Sequence, residues 1–343
     1  MQDSNLCFKY SLEKAVPRTG QGGTTRGASV KEFPASIGIA GVSMRLMPGA
    51  IRELHWHANA AEWAYVVKGQ VRTTVIHPDG SSYIDIFNPG DVWYFPKGYG
   101  HALQGIGTEE CHFILIFDNG NFSEDHTFSI TDFVSSVPKE VAAKNLNIST
   151  EEVEQLFQGE TYFAQCEPPT FQNHLLPRRS EEALKSMHRY PLLAQQPKMF
   201  AGGLQRVVTR TEFPISQTMA GSVLEIQPGC MREMHWHPGA DEWQYFLEGT
   251  AEMGVFLAQS TIVIDQYEAG DIGYAPMGAG HYIKNTGSSV LKVLVGFNNG
   301  DYESIDLSSW IGANPLDILE GNFHTSKAMV EKFTNKDNIV IIE

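Results

Sequence analysis

His55-Trp56-His57-Ala58-Asn59-Ala60-Ala61-Glu62, closed further on by His101 in Gly90-x5-Pro96-x-Gly98-x2-His101, is the stretch whose reading decides the fold. It is written a second time as His235-Trp236-His237-Pro238-Gly239-Ala240-Asp241-Glu242, with His281 at the end of Gly270-x5-Pro276-x-Gly278-x2-His281. The four chelating positions step by one offset, since 235 − 55, 237 − 57, 242 − 62 and 281 − 101 all equal 180. A single His-x-His arises by chance or sits satisfied in a core, whereas four such residues repeated in register report a duplicated structural unit. In a β-strand, residues i and i+2 point to one face. His55 and His57 are therefore expected to enter one interior, joined by Glu62 and His101 from neighbouring strands, and likewise for His235, His237, Glu242 and His281. Three imidazoles and a carboxylate leave two positions open on an octahedral ion. A nitrogen and oxygen set without thiolate suits Mn(II) or Fe(II), and Ni or Zn less well.

The sequence around these residues predicts an all-β framework. Turn signals recur every 8 to 12 residues at Pro48-Gly49, Lys68-Gly69, Asp79-Gly80, Pro89-Gly90 and Lys97-Gly98, and again at Pro228-Gly229, Glu248-Gly249, Ala269-Gly270 and Met277-Gly278. Short β-branched and aromatic runs lie between them, among them Glu62 to Val67, Val71 to Ile76 and Asp91 to Phe95, which indicates antiparallel sandwiches or barrels. Each β region is followed by a helical pair. Pro138 opens Lys139 to Asn145, and Ser149-Thr150-Glu151-Glu152 reads as a capping box before Val153. Pro315, Ser326 and Val330 repeat this, now at offsets 315 − 138, 326 − 149 and 330 − 153, each 177. The first half thus holds three extra residues between Phe117 and Pro138, in an interval that contains Ser123-Glu124-Asp125-His126-Thr127. Insertions at the mouth of a site are where function is commonly placed. The expected organisation is an arm over 1–30, a first domain over 31–165, a linker over 166–205 and a second domain over 206–343.

Composition narrows the function classes. The chain has 343 residues, is 42% hydrophobic and carries a formal net charge of −15, which speaks against nucleic acid as a partner. An anionic substrate would need locally placed cations. No run is long and apolar enough for a membrane span, and the first thirty residues carry no apolar secretion core. As written the chain reads as cytoplasmic, with secretion the alternative if the start is incomplete. Cys7, Cys111, Cys166 and Cys230 lack C-x-x-C spacing and suggest ordinary thiols.

The motif pair resembles that of the cupins, and its duplication makes the chain look like a bicupin. The resemblance is closest to the oxalate decarboxylase family, through Arg52 to His57, Glu62 to Tyr65, Trp93 to Pro96, Arg232 to Pro238 and Glu242 to Tyr245. It implies two tandem jelly-roll β-barrels (double-stranded β-helices), two Mn(II) per chain, and splitting of oxalate into formate and carbon dioxide with dioxygen as a catalytic participant. A homo-oligomer such as a hexamer is also implied. Arg52, three residues before His55, is expected to bind the free end of the dianion, and Arg232, in the same place in the second half, is expected to bind substrate too. The proton needed after C–C cleavage is assigned to Glu124, which matches the family's lid glutamate. Tyr162 matches a family tyrosine near the first site, which implies a catalytic part in supporting the centre or stabilising a radical. Departures are Asp125-His126, where the family lid continues with Asn and a small hydroxyl residue, and Val295, where the family can carry a second-site glutamate. The first site is accordingly expected to carry turnover. The alternatives are a bicupin oxalate oxidase yielding carbon dioxide and hydrogen peroxide, and a relative acting on another small carboxylate. Duplicated seed-storage cupins share the fold without catalysis but usually lose the ligands, and all eight persist here.

Overall fold

The computed structural model describes residues 7–122, 127–168, 187–333 and 339–342. It divides into two compact units, one of Leu12–Ala194 with Phe213–Thr218, the other of Met1–Ser11, Gln195–Glu212 and Met219–Glu343.

Each unit is a pair of antiparallel sheets. In the first, a seven-stranded sheet runs in the order Arg189–Tyr190, Val92–Phe95, Glu62–Lys68, Cys111–Phe117, Ala40–Leu46, Gly23–Ala28 and Arg18–Gly20. Its six-stranded companion runs Phe128–Ser129, Ala50–Trp56, Gly100–Ile106, Gln70–Ile76 and Ser82–Phe87, with Phe163–Gln165 also pairing to Ala50–Trp56. The second unit repeats the plan, placing Glu242–Glu248 in its seven-stranded sheet and Cys230–Trp236 beside Gly280–Asn285 in its six-stranded one. This is jelly-roll architecture. The expected barrels are not closed by hydrogen bonds: the two sheets of a unit stay separate and share a core instead. Val42, Leu46, Ala64 and Phe113 from one sheet pack with Val71, Val75 and Leu103 from the other in the first unit's apolar cluster. Corresponding strands bury the same positions, and Ala50–Trp56 and Cys230–Trp236 have identical burial patterns.

Short segments outside the expected domains join these sheets. Lys9–Tyr10 pairs with Gly273 and Ile272 in the second unit. Arg189–Tyr190, from the expected linker, pairs with Trp93 and Val92 in the first. Helices follow the β regions as the caps require. Lys139–Leu146 begins after Pro138 and ends on left-handed Asn147, and Thr150–Leu156 carries the full capping box of Ser149 and Glu152. Leu316–Phe323 and Lys327–Val330 copy them, with His324 as the left-handed residue. A third short helix precedes each pair, Ile130–Ser136 and Leu307–Gly312, which the sequence had not suggested. Among the described residues no helix is long and apolar enough to cross a membrane.

His188 shows how these added segments lock in. It is buried; its Nδ1–H donates to the Tyr94 carbonyl at 2.7 Å, and its Nε2 lies 2.6 Å from His77 Nε2. Burial pushes its imidazole down to about 4; the Tyr94 bond opposes this, and the neighbouring His77 and His101 add to it. Below the ordinary value of 6.5 the unfolded chain therefore binds a proton that the folded chain refuses. This contribution to stability is present above pH 6.5 and is lost as the pH falls toward about 4. Urea unfolding across that range should show the decline, and His188→Gln should flatten it. An unchanged acid limb would refute this account of His188.

Candidate metal centres

The strand register assembles both clusters. His101 lies directly opposite His55, and His281 directly opposite His235, in neighbouring antiparallel strands. Both pairings show an irregularity just beyond the histidine, between His101 and Leu103 and between Arg232 and His235. Glu62 and Glu242 open strands of the facing sheets, paired to Phe95 and Phe117 and to Ala275 and Phe297. All eight side chains are buried, and in each centre the four ligand atoms lie within 4.8 Å of one another.

The imidazoles are oriented from behind. The Nδ1–H groups of His55, His101, His235 and His281 donate to the carbonyls of Glu53, Tyr99, Glu233 and Ala279 at 2.5, 2.8, 2.8 and 2.9 Å. His237 Nδ1–H donates to the Glu303 carbonyl at 2.6 Å. His57 differs: its Nδ1 faces the Thr127 hydroxyl at 3.3 Å. With Nδ1 protonated, each neutral ring aims an Nε2 lone pair inward, the tautomer that binds a metal. Glu62 Oε2 lies 3.0 Å from His57 Nε2 and 3.3 Å from His101 Nε2. Glu242 Oε2 lies 2.6, 3.2 and 3.8 Å from His237, His281 and His235. For a six-coordinate ion with bonds of about 2.1 Å, adjacent ligands stand ~3.0 Å apart and opposite ones ~4.2 Å. The carboxylate–imidazole separations fall around the spacing of adjacent ligands.

Electrostatics fits as well. Burial alone would raise the carboxyls of Glu62 and Glu242, but the facing imidazoles outweigh it and hold both well below the usual carboxylate range. His55 and His235 are pushed down, first by burial, then by the charges of Arg52 and Arg232 and by neighbouring histidines. Carboxylates are thus ionised and these imidazoles neutral, as ligation requires.

The other expected residues fall into different places. Arg52 is fully buried, stacks on the Tyr162 ring at 3.8 Å and donates from Nη1 to the Tyr162 carbonyl at 3.5 Å. Tyr162 is buried, holds a left-handed backbone at φ 58°, and carries Arg18 on its ring at 3.5 Å. Arg232 is equally buried but is ion-paired to Asp306 at 2.5 Å, with Ser304 accepting at 2.9 Å. Glu124, Asp125 and His126 lie outside the described residues.

Several contributors escaped the sequence reading. Trp93 Nε1–H donates to Glu62 Oε1 at 2.7 Å, while Glu242 Oε1 accepts instead from Gln244 Nε2 at 2.7 Å. The position matching Trp93 is Gly273, where an added Cβ would stand 2.6 Å from Gln244 Oε1. Glu53 ties three segments together: its carboxylate accepts from Tyr162 N at 2.5 Å and from the Thr131 hydroxyl at 2.6 Å, and its own N–H donates to the Tyr162 carbonyl. The Glu233 carboxylate accepts from the Ser308 hydroxyl at 2.8 Å, and its N–H donates to the Ile339 carbonyl. The Arg-Glu-x-His spacing at 52–55 and 232–235 was the available signal for Glu53 and Glu233.

Two jelly-roll units, each with a buried three-histidine, one-glutamate cluster, define a protein of the two-domain cupin class. The Cupin family matches residues 11–154 and 192–331. The chain is 37% identical over 334 residues to an oxalate decarboxylase of Bacillus subtilis, covering 97% of this chain and 86% of that one. It is 31% identical over 347 residues to a probable oxalate decarboxylase of Arthroderma benhamiae, covering 98% and 83%. A solved structure of the B. subtilis enzyme, studied for its Mn(II) centres, superposes with a TM-score of 0.91 at 36% identity over 98% of this chain and 89% of that one. The chain therefore belongs to the cupin family and, within it, to the oxalate decarboxylases.

The indole that holds Glu62 yields a test. Trp93→Phe keeps the ring in the core and removes the donor, so divalent-cation affinity at the first centre should fall by about 10- to 100-fold. Equilibrium dialysis against Mn(II) should show one weakened and one unchanged site per chain. Two unchanged sites would exclude this role for Trp93.

Proposed function

We propose that this chain is a manganese-dependent oxalate decarboxylase that converts oxalate into formate and carbon dioxide, with dioxygen as a catalytic participant. The observation that carries the reading is a buried arginine, Arg52, three residues from the first of three inward-facing imidazoles. A small dianion is recognised there at two points, one end at the metal and the other at the guanidinium. When bound, Mn(II) supplies a Lewis acid with open positions and access to one-electron chemistry. Residues of the chain do the rest. His55, His57, Glu62 and His101 hold the ion at the first centre, and His235, His237, Glu242 and His281 hold it at the second. Arg52 fixes the distal carboxylate by charge-assisted hydrogen bonds. Tyr162 presents its ring face to Arg52 and so keeps the guanidinium plane fixed. Phe117 and Phe122 stack at 3.5 Å and pack edge-on to His57, forming an apolar wall that limits water beside the reacting carbon. Glu124 donates the proton that carbon takes once carbon dioxide has left.

The exposed apolar side chains of the helices, including Phe133, Trp310 and Ile318, support a homo-oligomer, which light scattering of the purified protein would detect.

The deciding assay supplies Mn(II) and oxalate in mildly acidic buffer and measures formate and peroxide. Formate is expected as the product. Arg52→Gln should lower kcat/KM by about 100-fold, the loss typical of a truncated buried charge contact. Glu124→Gln should cut formate yield by about 100-fold or more, as for removal of a general acid, with peroxide rising in its place. Formate production unchanged by Glu124→Gln would remove that residue from the mechanism, and neither product from the parent enzyme would refute both oxalate activities.

A further inference from the structure

The two centres share their metal ligands but differ in what faces their buried arginine. Asp306 lies directly opposite His235 in the neighbouring strand, and Ser129 lies directly opposite His55. The two positions correspond at the offset that holds past the insertion, 306 − 129 = 177. Cross-strand partners present their side chains to the same sheet face. Asp306 thus shares the face of a metal-binding histidine, and there its carboxylate grips the guanidinium of Arg232 at 2.5 Å. Ser304 accepts from the same nitrogen at 2.9 Å and donates on to Asp306 at 3.1 Å, and Arg232 Nη1 donates to the Ile339 carbonyl at 3.4 Å. Ser129 has another task, as the N-cap of Ile130–Ser136 accepting from Asp132 N.

We propose that Asp306 is a built-in stand-in for a substrate carboxylate, which holds Arg232 and keeps oxalate and similar dianions off the second centre. This rests on the oxalate reading above. A dianion reaching for Arg232 would have to expel one carboxylate to install another, with no hydrogen bond gained. The expelled Asp306 would remain beside it as a like charge. The formal charges point the same way. With a divalent ion in place, Asp306 lowers the formal charge of the second centre from +2 (ion +2, Glu242 −1, Arg232 +1) to +1. Asp306, Ser304 and Tyr302 also border a cavity of about 480 Å³. The selectivity is electrostatic. Asp306 is therefore a specificity-determining residue that makes a duplicated pair of metal centres bind substrate at one of them.

The test counts oxalate bound per chain in the Mn(II)-loaded protein. Equilibrium dialysis against labelled oxalate, run without dioxygen, compares the parent with Asp306→Ser, Asp306→Asn and Asp306→Ser combined with Arg232→Gln. Asp306→Asn retains the shape of the side chain without its charge, so it guards against a folding defect in the serine variant. Metal content is measured on each sample. Both single variants should bind one oxalate more than the parent, and the added Arg232→Gln should abolish the gain. Equal binding in the parent and in both single variants would overturn the proposal, as would a parent that already fills two sites. Loss of the second Mn(II) from both single variants would also overturn it, by making Asp306 a support of the centre. A parent that binds none, with variants that bind one, would uphold the role of Asp306 while refuting oxalate as the ligand of the first centre.

Discussion

Lone pairs aimed at one buried point repel one another unless something positive lies between them. In each unit three imidazole nitrogens and a carboxylate oxygen lie within 4.8 Å of one another with every side chain buried. The backbone carbonyls behind the rings hold most of the Nδ1 protons and thereby fix which nitrogen looks inward. A structure that spends strand register, paired bulges and buried carboxylates on such an arrangement is stable only with a cation, or a shared proton, at its centre. The jelly roll supplies the means. His55 and His101 oppose each other within one sheet, and the facing sheet delivers Glu62 across the shared core.

Behind this first ring of contacts the two units use the same connecting device. Glu53 and Glu233 sit between arginine and histidine in their strands and are almost fully buried. Each binds a backbone segment that arrives from far along the chain, Tyr162 in one case and Ile339 in the other, and each also holds the start of a short helix through Thr131 or Ser308. A left-handed backbone at a non-glycine residue costs on the order of 1–3 kcal/mol. Tyr162 keeps it because the Glu53 carboxylate accepts from its N–H and the Glu53 N–H donates to its carbonyl, and this holds the ring against Arg52.

The eight chelating residues, the β framework and the helix caps were legible in the sequence because each depends on local spacing: period two for His-x-His, and Ser-x-x-Glu for the cap. Their repetition at a constant offset multiplied the signal. What was not legible depends on register between distant strands. Nothing near Trp93 announces that its indole reaches Glu62, because the pairing of Val92–Phe95 with Glu62–Lys68 is set by the whole sheet. Asp306 was hidden for the same reason: it matches Ser129 only after the offset changes to 177, and its partner Arg232 is 74 positions away by the numbering, 306 − 232. The pairing of Lys9–Tyr10 and Arg189–Tyr190 was hidden too, since two-residue strands carry no periodicity.

The acidity of the chain sharpens the importance of buried cations. A net charge of −15 opposes an approaching dianion, but at physiological ionic strength the field of surface charges fades over about 8 Å. A guanidinium inside the protein is screened far less and acts at full strength over the last few ångströms. Capture of an anion by an acidic protein is therefore decided by the buried arginine of each centre and by what faces it there. Duplication copied the metal ligands and the arginine alike. A single carboxylate on the strand opposite His235 is enough to make the copies unequal, because it acts where solvent cannot dilute it.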